Sequence, residues 1–365
     1  MEEILRGTSG RFGAGLPRIS DGSLLFVQHM ISKFRNDGAT SRLAVVLNGS
    51  PLFSGGAGSG ESEIRKWIIE NDYLEAIVGL PDQLFYNTGI ATYLWIITNR
   101  KSPQRKGKVQ LIDATAMSEK MRRSLGNKRN QISEAQIADI TRLFGEMAEG
   151  ENSKLFDNED FGYWRITVER PLRLNFAITP ERIEAVEQQG AFAGLAKSRK
   201  KGREADAEIA EGRKLQDAIM AVLVSLTSSE ASKNRETFVA KLKTAFKRND
   251  VKLPTPVMKA VLAGLSERDE TADVCGGTHD PECDVDLRDT DNIPLKDDIH
   301  AYFEREVLPH APDAWIDEDK TKKGYEIPFT RHFYRYTPPR PLEDIDEDLR
   351  RLSGEIQTML REIAA

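Results

Sequence analysis

Leu74-Glu-Ala-Ile-Val-Gly-Leu-Pro-Asp-Gln-Leu-Phe-Tyr-Asn-Thr-Gly-Ile-Ala-Thr-Tyr-Leu-Trp-Ile-Ile97 decides how the chain folds. Two apolar runs, 74–80 and 90–97, each read as a buried strand. The gap between Leu80 and Ile90 is too short for a helical crossover, so the pair is expected to be antiparallel. Upstream, Arg42-Leu-Ala-Val-Val-Leu47 is a nearly continuous apolar run, expected to be a strand covered on both faces. A glycine-rich turn, Gly55 to Gly60, leads from it to a helix near Glu61–Asn71, with Ile64, Trp67 and Ile68 inward. Strand, helix, strand implies a parallel sheet with a right-handed crossover. Further upstream, Ser20 reads as the N-cap of a helix over 22–34, with Leu25, Phe26, His29 and Met30 at helical spacing. Downstream, Lys108-Val-Gln-Leu-Ile-Asp113 is a fourth strand. The reading is α/β: one half of a doubly wound sheet, including an antiparallel hairpin strand.

Beyond Ser118 the pattern becomes mostly helical. Residues 1–130 are read as the sheet domain and 131–204 as a connecting segment. The latter holds an amphipathic helix over Glu134–Met147 and an aromatic, arginine-rich patch from Phe156 to Phe176. A helical region follows over 205–265, with helices near Ala205–Leu226 and Arg235–Lys247. Residues 266–296 are expected to be an acidic, solvated linker, since Gly276, Gly277 and Pro281 stand among few large apolar residues. The last region, 297–365, carries a short helix (Asp297–Leu308) and then a terminal one. There Leu342, Ile345, Leu349, Leu352, Ile356, Met359 and Ile363 follow a 3-4 spacing, the a/d seam of a helix that packs on another helix.

Composition narrows the function classes. The 365 residues include 52 Lys/Arg and 58 Asp/Glu, a formal net charge of −6, so the total makes no case for nucleic-acid binding. Mean hydropathy is −0.48, and no apolar run approaches a membrane span. Met1-Glu-Glu-Ile-Leu-Arg6 has neither the basic nor the apolar region of a signal peptide. Two cysteines make no disulfide framework. The expected compartment is the cytoplasm. Locally the charge is uneven: Arg100 to Asn130 holds ten Lys/Arg against Asp113 and Glu119, while Asp269 to Asp298 holds eleven Asp/Glu against Arg288 and Lys296. Lys101, Arg105, Lys106, Arg122, Arg123, Lys128 and Arg129 are candidates for phosphate contacts that position a nucleic acid without reading it. The competing reading is a solvated basic face.

Other motifs weigh less. The run Phe53-Ser-Gly-Gly-Ala-Gly-Ser-Gly-Glu61 lacks the Lys-Ser/Thr of a P-loop and reads as a mobile surface loop. Cys275, His279 and Cys283 have metal-ligand residue types but no second ligand pair, so no metal is expected. Asn48, Gly49 and Ser50 close a strand on the ligand side of an open α/β sheet, where they are expected to line a substrate cleft.

A longer ordered series is specific. Phe12-Gly-Ala-Gly-Leu-Pro17, Asp21-Gly-Ser-Leu-Leu-Phe26, Val46-Leu-Asn-Gly-Ser-Pro-Leu-Phe53 and Leu80-Pro-Asp-Gln-Leu-Phe-Tyr-Asn-Thr-Gly-Ile-Ala-Thr92 come first. Leu125-Gly-Asn-Lys-Arg129, Phe156-Asp-Asn-Glu-Asp-Phe-Gly-Tyr163, Pro294-Leu-Lys-Asp-Asp298, Gly324-Tyr-Glu-Ile-Pro-Phe329 and Tyr336-Thr-Pro-Pro-Arg340 follow. Together they resemble the modification subunit of type I restriction–modification systems, a DNA adenine N6-methyltransferase.

The resemblance implies a methyltransferase-like sheet, S-adenosylmethionine as cofactor and double-stranded DNA as substrate. It also implies a specificity subunit, a second modification subunit and a restriction subunit as partners. By the same resemblance, Ser23, Leu24 and Phe26 line the pocket for the cofactor's adenine ring, with core packing as the alternative. Phe85 is the aromatic that stacks on the flipped target base, with a core plug as the alternative. The terminal seam docks on the specificity subunit, with an intramolecular helix pair as the alternative. The sequence departs from the family in two places. It has no F-x-G-x-G after a first strand, and its one Pro-Pro, Pro338-Pro339, lies between Thr337 and Arg340 rather than between an amide and an aromatic. The chain is therefore expected to start after the family's Pro-Pro segment and to be catalytically incomplete alone. The alternative function is a non-enzymatic assembly or DNA-docking module.

Overall fold

A computed structural model describes residues 6–364 apart from Asn36, Thr278 and Thr337, and gives only the backbone of Thr8, Ile363 and Ala364. The chain divides into two units: residues up to Gly162 together with Gly324 onward, and Tyr163–Lys323.

The first unit is built on a mixed sheet of β1 (Arg42–Asn48), β2 (Leu74–Leu80), β3 (Thr92–Thr98), β4 (Lys108–Asp113) and β7 (Ser153–Asp157), in the order β1-β3-β2-β4-β7. Helices α1 (Ser23–Ile31) and α2 (Gly60–Glu70) belong to it. β3 runs antiparallel to both β1 and β2, as the short gap requires, and β2 pairs parallel with β4. One row of the register reads Asn48–Thr92–Leu80, and the next pairs Gly79 with Asp113. The C-terminal ends of β1, β2 and β4 therefore share one rim of the sheet. β2 is buried along its whole length. The apolar stripe of α2, with Ile64, Ile68 and Ile69 buried, contributes to the same unit. Helix α3 (Glu134–Glu146), on the amphipathic run read for it, sets Ile140, Leu143 and Phe144 against Val78 and Ile112 of the sheet.

Three expectations need correction here. β1 is not covered on both faces: from Arg42 to Val46 its residues alternate between exposed and half-buried, only Leu47 is buried, and it is an edge strand. Hydrophobicity alone could not show that β3 inserts between β1 and β2, which are parallel in direction but not neighbours. Ser20 does not cap α1; the Asp21 carboxylate accepts the Ser23 N–H at 3.0 Å instead. The glycine-rich turn is pinned, because the fully buried Arg65 donates to the carbonyls of Pro51, Ser54 and Gly55, and also to that of Tyr325.

In the second unit, helices α4 (Pro180–Glu187), α5 (Arg203–Ser225), α6 (Arg235–Arg248) and α7 (Thr255–Gly264) share one core with β9 (Leu174–Ile178). Phe176, Ile219, Leu242 and Val261 lie at its centre. β9 is flanked by β10 (Ser228–Ser232) and β11 (Ser266–Arg268). The acidic stretch is not a solvated linker. Its β12 (Asp289–Pro294) pairs with β8 (Gly162–Glu169), and Cys275 and Asp284 N–H groups donate to the Leu172 and Arg170 carbonyls. Asp284 is buried because Arg268 binds it through two nitrogens, at 2.7 and 2.8 Å. Composition showed the acids but not the arginines that neutralise them.

Candidate functional site

At the rim where β1 ends, Asn48 Oδ1 accepts the Ser50 N–H at 3.0 Å and so shapes the turn. Ser50 Oγ accepts from Arg18 Nη2 at 2.6 Å and lies 2.8 Å from Ser54 Oγ. Asp21 adjoins the same cluster. Its carboxyl is held below the usual range, first by the Ser23 hydrogen bonds, then by Ser50 and Arg18. Ser23, Asn48 and Ser50 are thus brought together, through Asp21. Leu24, 2% exposed, lies beside this cluster with its side chain in the core, whereas Phe26 is 70% exposed and lines no part of it. Pro17, Arg18, Asp21, Leu24, Ser50 and Ser54 help to enclose a cavity of about 10 Å³, room for roughly one water.

Gly49 departs from its expected place as a cleft residue. It is half-buried and does not line that cavity. A Cβ at Gly49 would lie 3.3 Å from the Tyr93 ring and 3.7 Å from that of Phe53, so the position faces packed aromatics rather than open space. Its φ of −71° is ordinary, and the missing side chain therefore serves the close approach of Tyr93, not the backbone turn. Strand-end position was the whole signal for Gly49, and it could not show which side the residue would face.

At the same rim, β2 leads into the Pro81–Ile90 loop. Phe85 forms an isolated bridge with Thr88 and is 36% exposed, so it is no core plug. Tyr86 is 60% exposed, with Lys128 Nζ 5.5 Å from its ring centroid. This loop is tied to a hairpin formed by β5 (Glu119–Leu125) and β6 (Lys128–Gln131). The Asn127 N–H donates to the Tyr86 carbonyl at 3.1 Å, and the Arg129 and Asn130 N–H groups donate to that of Gln83 at 2.9 and 3.2 Å. Asn130 Nδ2 also donates to the Asp82 carbonyl at 3.0 Å. Gly126 turns the hairpin at φ +62°, where a side chain would also press on the Tyr86 carbonyl. Arg122, Arg123 and Arg129 are exposed on this hairpin and Lys128 is half-buried.

The expected phosphate set splits. Lys101, Arg105 and Lys106 lie between β3 and β4, at the opposite rim from Phe85. Lys101 is 5% exposed on Asp72, at 2.6 Å. Arg105 is 6% exposed on Glu75 and also donates to Gln110 and the Phe144 carbonyl. Both are internal counter-ions, and only Lys106 of the three is exposed. Cys275, His279 and Cys283 do not converge: Cys275 is buried beside Arg235, His279 is exposed, and among the described residues no metal-ligand cluster forms.

Helix α8 (Leu342–Ala364) carries the terminal seam. Leu342, Ile345, Leu349, Leu352, Ile356 and Met359 are all exposed; the Ile363 side chain lies outside the described residues. Sequence reasoning missed Tyr86 and the Arg18–Asp21–Ser50 cluster. Tyr86 was visible as a second aromatic in the Phe85 loop. The cluster depends on contacts between distant segments and left no local signal.

Residues 3–182, which include the aromatic loop and the cationic hairpin, match the family model described as N-6 DNA Methylase. More narrowly, the chain resembles the modification subunits of type I restriction enzymes. It is 32% identical over 131 residues to the MjaIX methylase subunit of Methanocaldococcus jannaschii, covering 36% of this chain and 22% of that protein. It is 29% identical over 180 residues to the HindI methylase subunit of Haemophilus influenzae, covering 49% and 37%. Among solved structures, the type I methyltransferase subunit from Streptococcus thermophilus matches at 25% identity and a TM-score of 0.34, covering 39% of this chain and 28% of that one. The chain thus spans well under half the length of these relatives.

Proposed function

We propose that this chain supplies the base-stacking and DNA-holding side of a cytoplasmic type I modification enzyme, which methylates adenine N6 in double-stranded DNA with S-adenosylmethionine. The observation that carries the reading is the docking of the cationic β5–β6 hairpin on the Phe85 loop, at the ligand rim of the sheet. An exocyclic amine inside a duplex is out of reach, so the base must leave the stack, and an aromatic face replaces the stacking it loses. Phe85 provides that face. Arg122, Arg123, Lys128 and Arg129 hold the flanking phosphates and contribute register rather than sequence choice. Sequence choice falls to a specificity subunit, on which the α8 seam docks; a second modification subunit and a restriction subunit complete the assembly.

Ser23, Leu24 and Phe26 do not fit S-adenosylmethionine by themselves. Leu24 is turned into the core, and the cavity beside it takes about one water. No step of the transfer is assigned to them. The sequence also holds no Asn/Asp-Pro-Pro-aromatic segment to orient the amine, so the chain with a specificity subunit alone is expected to leave adenine unmethylated. The test supplies labelled S-adenosylmethionine and unmethylated DNA. Adding a polypeptide that bears the missing segment should produce N6-methyladenine. Product without that addition would overturn the claim of incompleteness. No product even with it would favour the non-enzymatic docking module.

A further inference from the structure

Tyr86 directly follows Phe85, yet its ring stands further into solvent, 60% against 36% exposed. The ring is not idle. Lys128 Nζ lies 5.5 Å from its centroid, a cation–π distance that steers the ring and places a positive charge against it. The Tyr86 carbonyl is fixed by the Asn127 N–H, from the turn of the cationic hairpin. Side chain and main chain of one residue are thus both held by the element that carries Arg122, Arg123 and Arg129. A solvated flat ring with Lys128 against it, tied by its main chain to a cationic hairpin, has the elements of a site for unpaired bases: a π-face beside positive charge.

We propose that Tyr86, backed by Lys128, is a second DNA-contacting aromatic: its ring stacks on the base step left open when the target base leaves the duplex, while the β5–β6 hairpin grips the adjoining phosphates. The inference rests on the DNA-methylating reading and assigns it a positioning residue beyond Phe85. It also gives the hairpin a mechanical role. Phosphate contact on Arg122 or Arg123 is transmitted by main-chain hydrogen bonds to the loop that holds both aromatics.

The test uses the full chain and a fluorescein-labelled short duplex at low salt, in matched form and with one abasic site that leaves a step open. Anisotropy gives both affinities. The wild-type chain is expected to favour the abasic duplex by roughly tenfold. Tyr86→Ala should bring that ratio close to one and Tyr86→Phe should keep it, because the ring rather than the hydroxyl makes the contact. Arg122→Ala should weaken binding to both duplexes together and leave the ratio intact, which separates phosphate contact from stacking. A ratio unchanged in Tyr86→Ala but lost in Phe85→Ala would overturn the Tyr86 inference while leaving the methylating reading in place. If the wild-type chain bound neither duplex, both would fall. Unfolding midpoints of each variant, expected to match the wild type for this exposed ring, exclude misfolding as the cause.

Discussion

Gly79 lies inside β2, where a side chain would normally strengthen a strand. A Cβ there would come within 2.8 Å of the Phe329 ring, which is itself buried and edge-on to Tyr93 at 5.1 Å. Gly79→Ala should therefore destabilise the chain by about 1–3 kcal/mol through overpacking. In a Phe329→Leu background the penalty should shrink, and a urea-unfolding double-mutant cycle measures the coupling. His332 makes a second residue-scale prediction. Burial pushes its imidazole below the ordinary value, Lys154 and Arg331 act the same way, and Asp160 opposes them. Its Nε2 is buried without a hydrogen-bond partner, and the Phe156 ring lies against it, tilted by 44° with centroids 4.2 Å apart. The unfolded ring titrates near pH 6.5, so below that the unfolded state binds more protons than the folded one. Stability from this group is present above about pH 6.5 and lost as pH falls through the lowered folded value. Thermal unfolding between pH 7.5 and 5 should fall more steeply for wild type than for His332→Phe. Parallel curves would contradict the assignment.

At the scale of elements, the glycine-rich turn depends on one side chain. Arg65→Leu removes the donor from four carbonyls in a buried setting and should cost on the order of 3 kcal/mol or more. Urea unfolding would show it, and an effect below about 1 kcal/mol would mean the turn holds itself. On α8, the seam is exposed, so Ile356→Asp should leave the unfolding midpoint unchanged while weakening association with a specificity subunit, measured by titration. Strands were legible where chemistry and length coincide: β2 and β4 fall on the runs read for them, and the antiparallel β3 follows from the short gap. Strand order was not legible, because β1 and β2 look equally apolar while only β2 is central. The acidic stretch misled for a related reason. Asp284 is satisfied by the side chain of Arg268, at the very start of the stretch, and the main chain of Arg170, far upstream of it. The basic stretch misled in the opposite direction: Lys101 and Arg105 look like surface cations until Asp72 and Glu75 are seen beneath them. That Phe85 is exposed in a turn was readable from the Leu-Pro-Asp before it. The hairpin's grip on that turn required the fold, as did the packing of Gly49 against Tyr93.

Over the whole molecule, the candidate chemistry collects at one rim of one sheet. Asn48 and Ser50, the Phe85–Tyr86 loop and the Arg122–Arg129 hairpin lie there, while the internal ion pairs of Lys101 and Arg105 stabilise the other rim. No helix among the described residues is long and apolar enough to cross a membrane. A net charge of −6 leaves DNA attraction to this local patch, so binding should weaken with salt, though with a modest slope. Four hairpin cations imply a slope of log affinity against log salt of roughly −3 to −4 at most; an affinity indifferent to salt would count against the patch. The central claim is that Phe85 receives an adenine turned out of DNA. It is tested most directly in the reconstituted assembly containing this chain, by following N6-methyladenine formation in unmethylated DNA with wild type and Phe85→Ala. The account predicts product with the wild type and a fall of roughly tenfold or more in the variant, the value of one stacked base, with S-adenosylmethionine binding unchanged. Equal rates, or a methyl group delivered to another position, would contradict it.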